Sequence, residues 1–231
     1  MSPPTGESAR LVWSACPSPN RRAARTREIL EATRALFDER GLRDAQIDDI
    51  ARSVGINRAI IYRHFSGKEE LFALTLVGYL DQLSEAMRDA TDPDAGPGEQ
   101  LAALTRAFMD FGETYPAFVD CALALLRRPG SELMHEVQEE VMVRLGSAIN
   151  GPLGQLVAVL ERGNAEGEFH VEDPVLQANI FYTQALGVLN LARLRLAVRE
   201  ESGRGPRVDD VAFDRVKDNI VSSVVLVARA R

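Results

Sequence analysis

Residues 55 to 71 read GINRAIIYRHFSGKEEL, and this stretch decides how the rest of the chain is interpreted. Ile61 and Phe65 lie four residues apart, which places them on one face of a helix, whereas Tyr62 and Arg63 fall on another face. A helix buried on all sides would not carry Tyr, Arg and His in a row, and a fully solvated helix would not need two isoleucines and a phenylalanine. The pattern predicts a short helix with a core on one side and a polar partner on the other.

The residues before this helix predict a helix-turn-helix unit. A short helix at about 47–54 has apolar residues on one face and ends at Gly55, and Asn57 is a good N-cap for the next helix, which runs to about His64. Two short helices joined by a three-residue turn that contains Gly have the spacing of a helix-turn-helix. We expect the core of the unit to contain Leu36, Phe37, Ile50, Ile61 and Phe65.

The polar face of the second helix has the composition needed to enter a DNA major groove. Arg58 and Arg63 can each make a bidentate contact with guanine, and the small Ala59 permits close approach. Tyr62 can reach a phosphate through its hydroxyl or a thymine methyl through its ring. Lys68, expected in the first turn of the following helix, lies where free backbone N–H groups and the helix dipole also favour a phosphate.

Two further groups leave alternatives open. Arg21, Arg22 and Arg25 precede the first helix and either follow the DNA backbone, enter a minor groove or form a solubilising tail. His64 either faces a phosphate or packs and caps the short helix, and Asn57, at the start of that helix, is also counted among the expected DNA contacts.

The net charge of −7 does not exclude nucleic acid, because the negative charge is unevenly distributed. Residues 1–70 hold 12 basic and 10 acidic side chains, whereas the remaining 161 residues hold 15 and 24. Binding to DNA depends on the local field at the docking face, so an acidic remainder is compatible with it.

The remaining pattern is helical throughout. Residues 1–20 are rich in Pro, Ser and Gly and predict a disordered tail, and residues 92–98 predict a turn-rich break. The helical spacing of Ile29, Leu30, Thr33, Leu36 and Phe37 predicts a first helix that ends at Gly41, and a capping box formed by Ser66 and Glu69 opens another. Further helices are expected at about 99–114, 116–128, 132–165, 174–200 and 209–229. Gly151-Pro152 is expected to split the 132–165 segment, and 201–207 is expected to be a loop. No strand alternation is convincing, so the predicted fold class is all-α.

Residues 25–71 resemble the N-terminal DNA-binding domain of the TetR family of transcriptional regulators. The matching features are ILEATRALFDERG, IDDIARSVGI and IYRHFSGKEELF, in the family's order and spacing. In this family the positions of Tyr62 and Lys68 commonly contact phosphates, and those of Arg58, Ala59 and Arg63 lie on the recognition face. The sequence departs from the family pattern at two places. Ala45-Gln46 stands where the second helix usually starts with Thr or Ser, although Gln46 can still form a hydrogen bond with a phosphate. Ile60 stands where the family often has a small residue.

The resemblance implies a helix-turn-helix domain at 21–67 and a helical ligand-binding and dimerisation domain at 68–231. It further implies a homodimer on a palindromic operator in double-stranded DNA, and repression relieved by a small apolar or amphipathic effector. The last two long helices would form the dimer interface. The expected effector-lining residues, by their position on helices that enclose the family's pocket, are Phe108, Phe111, Tyr115, Phe118, Tyr182 and Gln184, although aromatic residues at this spacing also suit a plain core.

The sequence leaves three alternatives to this function. They are a ligand-responsive activator, an all-helical enzyme, and a dimeric scaffold that has lost DNA binding. The sequence offers no catalytic acid pair, nucleophile with a base or phosphate-binding Gly loop to support the enzyme. No cofactor is expected, and His135 with Glu136, Glu139 and Glu140 is read as a polar helix face in preference to a metal site. Without an apolar run of about 18 residues or a secretory signal, we expect a cytoplasmic protein that does not enter a membrane. Cys121 is expected to be a small buried apolar residue.

Overall fold

The computed structural model describes residues 19–42, 45–127, 137–201 and 205–230 of the 231-residue chain. In chain order the elements are α1 Pro19–Arg40, α2 Ile47–Val54, α3 Arg58–His64, α4 Lys68–Asp89, α5 Pro97–Thr114, α6 Pro116–Leu126, α7 Glu139–Glu166, α8 Pro174–Leu194, β1 Leu196–Glu201, β2 Gly205–Asp210 and α9 Phe213–Arg229. Helices dominate, which confirms the all-α prediction. Most of the predicted tail lies outside the described residues, but residues 19 and 20 already belong to α1.

The first three helices form the helix-turn-helix unit, with the predicted caps in place. Gly41 ends α1 and Gly55 ends α2, each with a positive φ, of 79° and 70°, that favours glycine. The Asn57 side chain accepts a hydrogen bond from the backbone N–H of Ile60 over 3.1 Å and so caps α3. All five residues of the predicted core are buried: Leu36, Phe37, Ile50, Ile61 and Phe65.

The start of α4 differs from the predicted capping box. The helix begins at Lys68 with Gly67 as its N-cap, so the carboxylate that returns to Ser66 belongs to Glu70 and not to Glu69. Glu70 accepts hydrogen bonds from the Ser66 backbone N–H, over 2.9 Å, and from the Ser66 hydroxyl. Glu70 is buried although it is charged, and these two donors satisfy it.

The C-terminal region is a bundle in which α4 packs against α5, α6 and α7, and α8 packs against α5, α6, α7 and α9. The predicted break at Gly151-Pro152 was wrong, because α7 continues through Pro152 to Glu166. A Cβ at Gly151 would lie 2.9 Å from the Ser84 hydroxyl, so the glycine lets α7 approach α4 closely. Gln155 donates to the Ser84 carbonyl over 2.9 Å one turn later. This packing holds the two halves of α7 in one helix despite the missing proline N–H.

A two-stranded antiparallel hairpin precedes the last helix, where the sequence predicted the end of a helix and a loop. The helix α8 stops at Leu194, and Arg195 adopts a left-handed conformation with φ 52°. The backbone then pairs Leu196 with Asp210 and Val198 with Val208. Leu, Ala, Arg and Glu in LAVREE are good helix formers, so only the pairing with the strand that follows reveals the hairpin.

None of the helices within the described part of the chain has the length and apolarity needed to cross a bilayer.

Candidate nucleic-acid interface

The short helix α3 is divided into a buried and an exposed side, as its sequence predicted. Ile61 is 1% exposed, and Phe65, the C-cap of α3, is 2% exposed. Both side chains pack into the core of the helix-turn-helix unit. Arg58, Ala59, Tyr62 and Arg63 are all exposed, and Tyr62 shows 42% of its surface. An exposed phenol on a face with two guanidinium groups gives α3 both hydrogen-bond donors and an apolar surface for a partner.

The N-terminal half of this exposed face is held in place by side-chain contacts. Arg58 donates to the Tyr62 hydroxyl over 3.1 Å, and its guanidinium lies 5.4 Å from the centre of the Tyr62 ring. Asp48, from α2, is 3.8 Å from the same guanidinium. The hydrogen bond with Tyr62, followed by the charge of Asp48, raises the pKa of Arg58, so the group stays cationic. Two of the predicted recognition residues are therefore oriented together before any partner arrives.

A cleft of about 610 Å³ separates the first turns of α1 from α3. Its walls include Arg21, Arg22 and Arg25 on one side and Ile60 and Arg63 on the other. Arg22 donates to the backbone carbonyl of Arg63 over 3.3 Å, which ties α1 to the C-terminal end of α3. The arginines that precede the predicted first helix thus lie in α1 and share one surface with the exposed face of α3.

His64, at the end of α3, contacts α1 through its ring. Its Nδ1 lies 2.9 Å from the Thr26 hydroxyl, and that hydroxyl donates its single hydrogen to the Arg22 carbonyl over 3.0 Å. When the hydroxyl gives its hydrogen to the Arg22 carbonyl it can only accept from His64, whose Nδ1 then carries the proton. Burial, and then the charges of Arg22 and Arg25, lower the pKa of His64. His64 therefore packs against α1, and the direction of its pKa shift favours the neutral ring.

Three other predicted DNA contacts lie around α3. Lys68 is the first residue of α4, and its ammonium nitrogen lies 4.9 Å from the centre of the Phe72 ring. Gln46 is the exposed N-cap of α2 and makes no capping hydrogen bond with its side chain. The side-chain oxygen of Asn57 is already occupied by the cap of α3. Lys68 and Gln46 remain predicted DNA contacts, while Asn57 caps α3.

Sequence reasoning missed two residues that orient this surface, Thr26 and Asp48. Thr26 acts on a residue 38 positions away and Asp48 on one ten positions away, so neither pair has a helical spacing that a local pattern would reveal. Both contacts depend on how α1 and α2 pack on α3.

Five of the six predicted effector-lining residues lie in one aromatic cluster of α5, α6 and α8. Phe108 and Phe118 have ring centres 5.9 Å apart, Phe111 and Tyr115 4.8 Å apart, and Phe108 and Tyr182 5.4 Å apart. Gln184 is exposed. Tyr182 also borders a cavity of about 90 Å³, which is smaller than the cavity of about 150 Å³ that admits benzene.

The described residues contain no group of three or more His, Cys, Asp or Glu side chains placed to hold a metal ion. His135 and Glu136, half of the set weighed as a metal site, lie outside those residues.

Comparison with known proteins agrees with this geometry. The sequence model of the family described as bacterial regulatory proteins, tetR family, matches residues 29–75, which run from α1 into α4. The transcriptional repressor KstR2 of Rhodococcus jostii RHA1 is 31% identical over 149 residues, which is 64% of this chain and 69% of that protein. The chain belongs to the tetR family of bacterial regulatory proteins. Family membership places it among regulators and not among enzymes.

Other family members match shorter parts of this tetR-family chain. KstR2 of Mycobacterium tuberculosis H37Rv is 41% identical over 96 residues, or 42% of this chain, and the transcriptional activator FasR of Mycolicibacterium smegmatis is 34% identical over 92 residues, or 40% of it. These matches span 48% and 42% of the two relatives, so the chain aligns with about half of their length. A solved structure of the ketosteroid transcriptional regulator KstR2 of Mycobacterium tuberculosis superimposes with a TM-score of 0.58 at 25% identity, covering 90% of this chain and 96% of that one.

Proposed function

We propose that this protein is a DNA-binding transcriptional regulator that acts as a homodimer on a palindromic operator. The observation that carries the proposal is the exposed face of α3, where Arg58, Ala59, Tyr62 and Arg63 stand together while Ile61 anchors the helix in the core. A helix held in this way can enter a major groove and read base edges through its arginines. Its place of action would be the cytoplasm, where bacterial DNA is found.

The groups around α3 suit the DNA backbone. Arg22 and Arg25, near the start of α1, border the cleft beside α3, and Lys68 begins α4 behind it. Phosphate contacts from such groups fix the position of a protein on the duplex, whereas base contacts give sequence preference. The surface therefore contains both kinds of contact that specific binding requires.

The homodimer is supported by apolar side chains that the single chain leaves uncovered. On α8 the exposed large apolar residues are Val175, Leu176, Ile180, Leu191 and Leu194, and on α9 they are Leu226 and Val227. Leu176, Ile180, Leu191 and Leu194 follow one stripe of α8 at helical spacing. Such a patch is typical of a surface that another protein covers. A two-fold dimer through α8 and α9 would bury it and would place two α3 helices about 34–36 Å apart, in successive major grooves.

Sedimentation of the purified protein at micromolar concentration tests the dimer. The wild type is expected to sediment as a dimer, and a Leu191→Glu/Leu226→Glu variant as a monomer. Val143→Glu is the matched control, because Val143 is equally exposed but lies on α7. A monomeric wild type would exclude the two-fold arrangement.

The effector is proposed to be a small apolar or amphipathic molecule that binds among the helices α5, α6 and α8. The aromatic cluster of Phe108, Phe111, Tyr115, Phe118 and Tyr182 supplies apolar surface there. Because its rings already pack on each other, binding would require them to separate. A ligand that binds better to the separated arrangement shifts the dimer away from its DNA-binding form, to the extent of that difference in affinity.

The regulatory sign is proposed to be repression. The relatives named KstR2 are repressors and the relative named FasR is an activator, so family membership alone does not decide the sign. A reporter gene downstream of the operator decides it: expression that falls when the protein is present supports a repressor, and expression that rises identifies an activator.

A pull-down of genomic fragments at about physiological salt, read by sequencing, tests DNA binding directly. The wild type would be compared with an Arg58→Ala/Tyr62→Ala/Lys68→Ala variant whose folding is verified by circular dichroism. Enrichment of a few palindromic sites by the wild type alone supports the proposal. Equal enrichment by both proteins, or none by a wild-type sample freed of bound small molecules, contradicts it.

A further inference from the structure

A second cavity lies between the helix-turn-helix unit and the helical bundle. It has a volume of about 310 Å³, is open to solvent on one side, and is lined by α4, α6 and the residue Leu42, which follows α1. Its walls are apolar and include Phe72 and Leu76 from α4 and Ala124 and Leu125 from α6. Because a cavity of about 150 Å³ already admits benzene, this one has room for a ring with a short chain. Its volume is also at the lower end of the range usual for ligand pockets.

One end of this interdomain cavity is charged. Lys68 and Glu69, in the first turn of α4, are the charged residues among its described walls. The ammonium of Lys68 lies over the ring of Phe72, at 4.9 Å from its centre. Glu69 turns back along the chain, because a Cβ at Gly67 would be 3.3 Å from its carboxylate oxygen. The charge that stands over the apolar wall is therefore the positive one.

We propose that the interdomain cavity binds a small organic acid. Its apolar body packs between Phe72 and Leu76 on one side and Ala124 and Leu125 on the other, and its carboxylate pairs with the ammonium of Lys68. An ion pair at the edge of an apolar cavity is less screened than one on the open surface, which gives the acid an advantage over a neutral molecule of the same shape.

Binding in this cavity is non-covalent. Cys121 lines the cavity and its thiol is a potential nucleophile, but burial raises the pKa of this thiol to about 12. At neutral pH the thiol keeps its proton, and a protonated thiol is a poor nucleophile. Cys121 therefore contributes surface to the site and not a bond.

Binding of an acid at this site would directly affect binding of DNA, and this step rests on the proposed function. Lys68 is the residue proposed to contact a phosphate, so the acid and the DNA backbone compete for one ammonium group. Each ligand must then weaken the binding of the other by the same factor. This route differs from the one through the aromatic cluster, because it needs no rearrangement of α5 and α8.

Calorimetric titration without DNA tests the cavity, with hexanoate, octanoate and 4-phenylbutyrate as probes and 4-phenylbutan-1-ol as the neutral match. We expect wild type to bind at least one acid and to prefer 4-phenylbutyrate over its alcohol. Lys68→Met keeps the apolar stem and should bind the acid about tenfold more weakly, the effect of losing a charge-assisted hydrogen bond. Ala124→Leu and, from the opposite wall, Ala73→Leu fill the cavity and should abolish binding.

Ala158→Leu is the matched control, because Ala158 is exposed on α7 and away from the cavity. It should bind the acid like wild type, and thermal unfolding verifies that each variant is folded. Three results overturn the site: no acid binds to wild type, the alcohol binds as well as the acid, or both filled variants still bind.

A second measurement separates this site from the proposed function. Binding of a random-sequence 30-base-pair duplex at low salt is followed by fluorescence anisotropy, with and without saturating 4-phenylbutyrate. The acid should weaken binding by wild type and by Ala158→Leu. If the acid binds in the calorimeter but the protein binds no duplex, the cavity site is supported and the proposed function is contradicted. Duplex binding that is unaffected by a bound acid would overturn the competition at Lys68.

Discussion

The hydroxyl of Tyr79, on α4, donates a hydrogen bond to the carboxylate of Asp38, on α1, over 2.6 Å. The same ring carries the guanidinium of Arg34, which lies 4.3 Å from its centre and 4.9 Å from the centre of the Tyr115 ring. Burial, followed by the hydrogen bond with Asp38, raises the pKa of Tyr79, so the phenol keeps the proton that it donates. These contacts join the first helix of the helix-turn-helix unit to the bundle.

Removing this hydroxyl should lower the free energy of unfolding. Tyr79→Phe leaves the ring in place but takes a donor from a charged acceptor, a loss of about 1.5–3 kcal/mol. Urea unfolding measures the loss, and a double-mutant cycle with Asp38→Ala assigns it to the pair. If the two single losses add without a coupling energy, the hydrogen bond does not join the helices in solution.

Substitutions on the DNA-facing surface should separate into two classes. Arg58→Ala or Arg63→Ala should relax base preference at one position by about 1–3 kcal/mol, because each arginine is placed to read a base edge. Tyr62→Phe and Lys68→Ala should weaken operator and random duplexes alike. Titrations at several salt concentrations should show the slope of log K against log[salt] reduced by about 1 for Lys68→Ala.

Arg88→Ala is the control for this series, because Arg88 is exposed in the last turn of α4, at the opposite end of that helix from Lys68. It should retain wild-type affinity, base preference and salt dependence. The docking arrangement is wrong if all four surface variants behave like Arg88→Ala.

The helix-turn-helix unit could be predicted because its signals are local. Gly41, Gly55 and Asn57 mark helix ends by their own chemistry, and the spacing of Ile61 and Phe65 gives the buried side. The same spacing predicted which side of α3 is exposed, and this is the side proposed to face DNA. Because Asn57 caps α3 and His64 contacts Thr26, each has less to offer DNA.

The features that could not be predicted depend on contacts between separate elements, which the pattern within one element does not reveal. The strand from Leu196 to Glu201 has a helix-forming composition, and only its pairing with residues 205–210 reveals it. Pro152 stays inside α7 because α4 packs against Gly151. The cavity beside Lys68 requires α1, α4 and α6 together, and no spacing within one helix predicts it.

A glycine in α5 should be required for the packing of α5 against α8. A Cβ at Gly112 would lie 2.3 Å from a methyl carbon of Leu189, so Gly112→Ala forces this buried contact apart. Overpacking of this kind costs about 1–3 kcal/mol. Gly146, which is exposed on α7, has nothing within 4 Å of its Cβ position, and Gly146→Ala should stabilise the protein by about 0.5–1 kcal/mol. Urea unfolding compares the two variants, and equal effects would contradict the close approach of α5 and α8.

His64 should make the stability of the protein depend on pH in the acidic range. Its pKa in the folded protein lies below the value near 6.5 of an unfolded chain, because burial and the charges of Arg22 and Arg25 disfavour the imidazolium. As the pH falls through about 6.5, the unfolded state binds a proton first, so the free energy of unfolding decreases until the folded protein is protonated as well. Above about pH 7 this contribution is constant and fully present.

His64→Gln removes the titrating group and keeps a side chain that can donate to Thr26. The free energy of unfolding of wild type minus that of the variant, measured in urea between pH 5 and pH 8, should therefore be constant at the alkaline end and decrease on acidification. Taking this difference cancels the contributions of the titrating groups that both proteins retain. A difference that stays constant over the whole range, or that increases on acidification, would mean that the folded protein does not disfavour the imidazolium of His64.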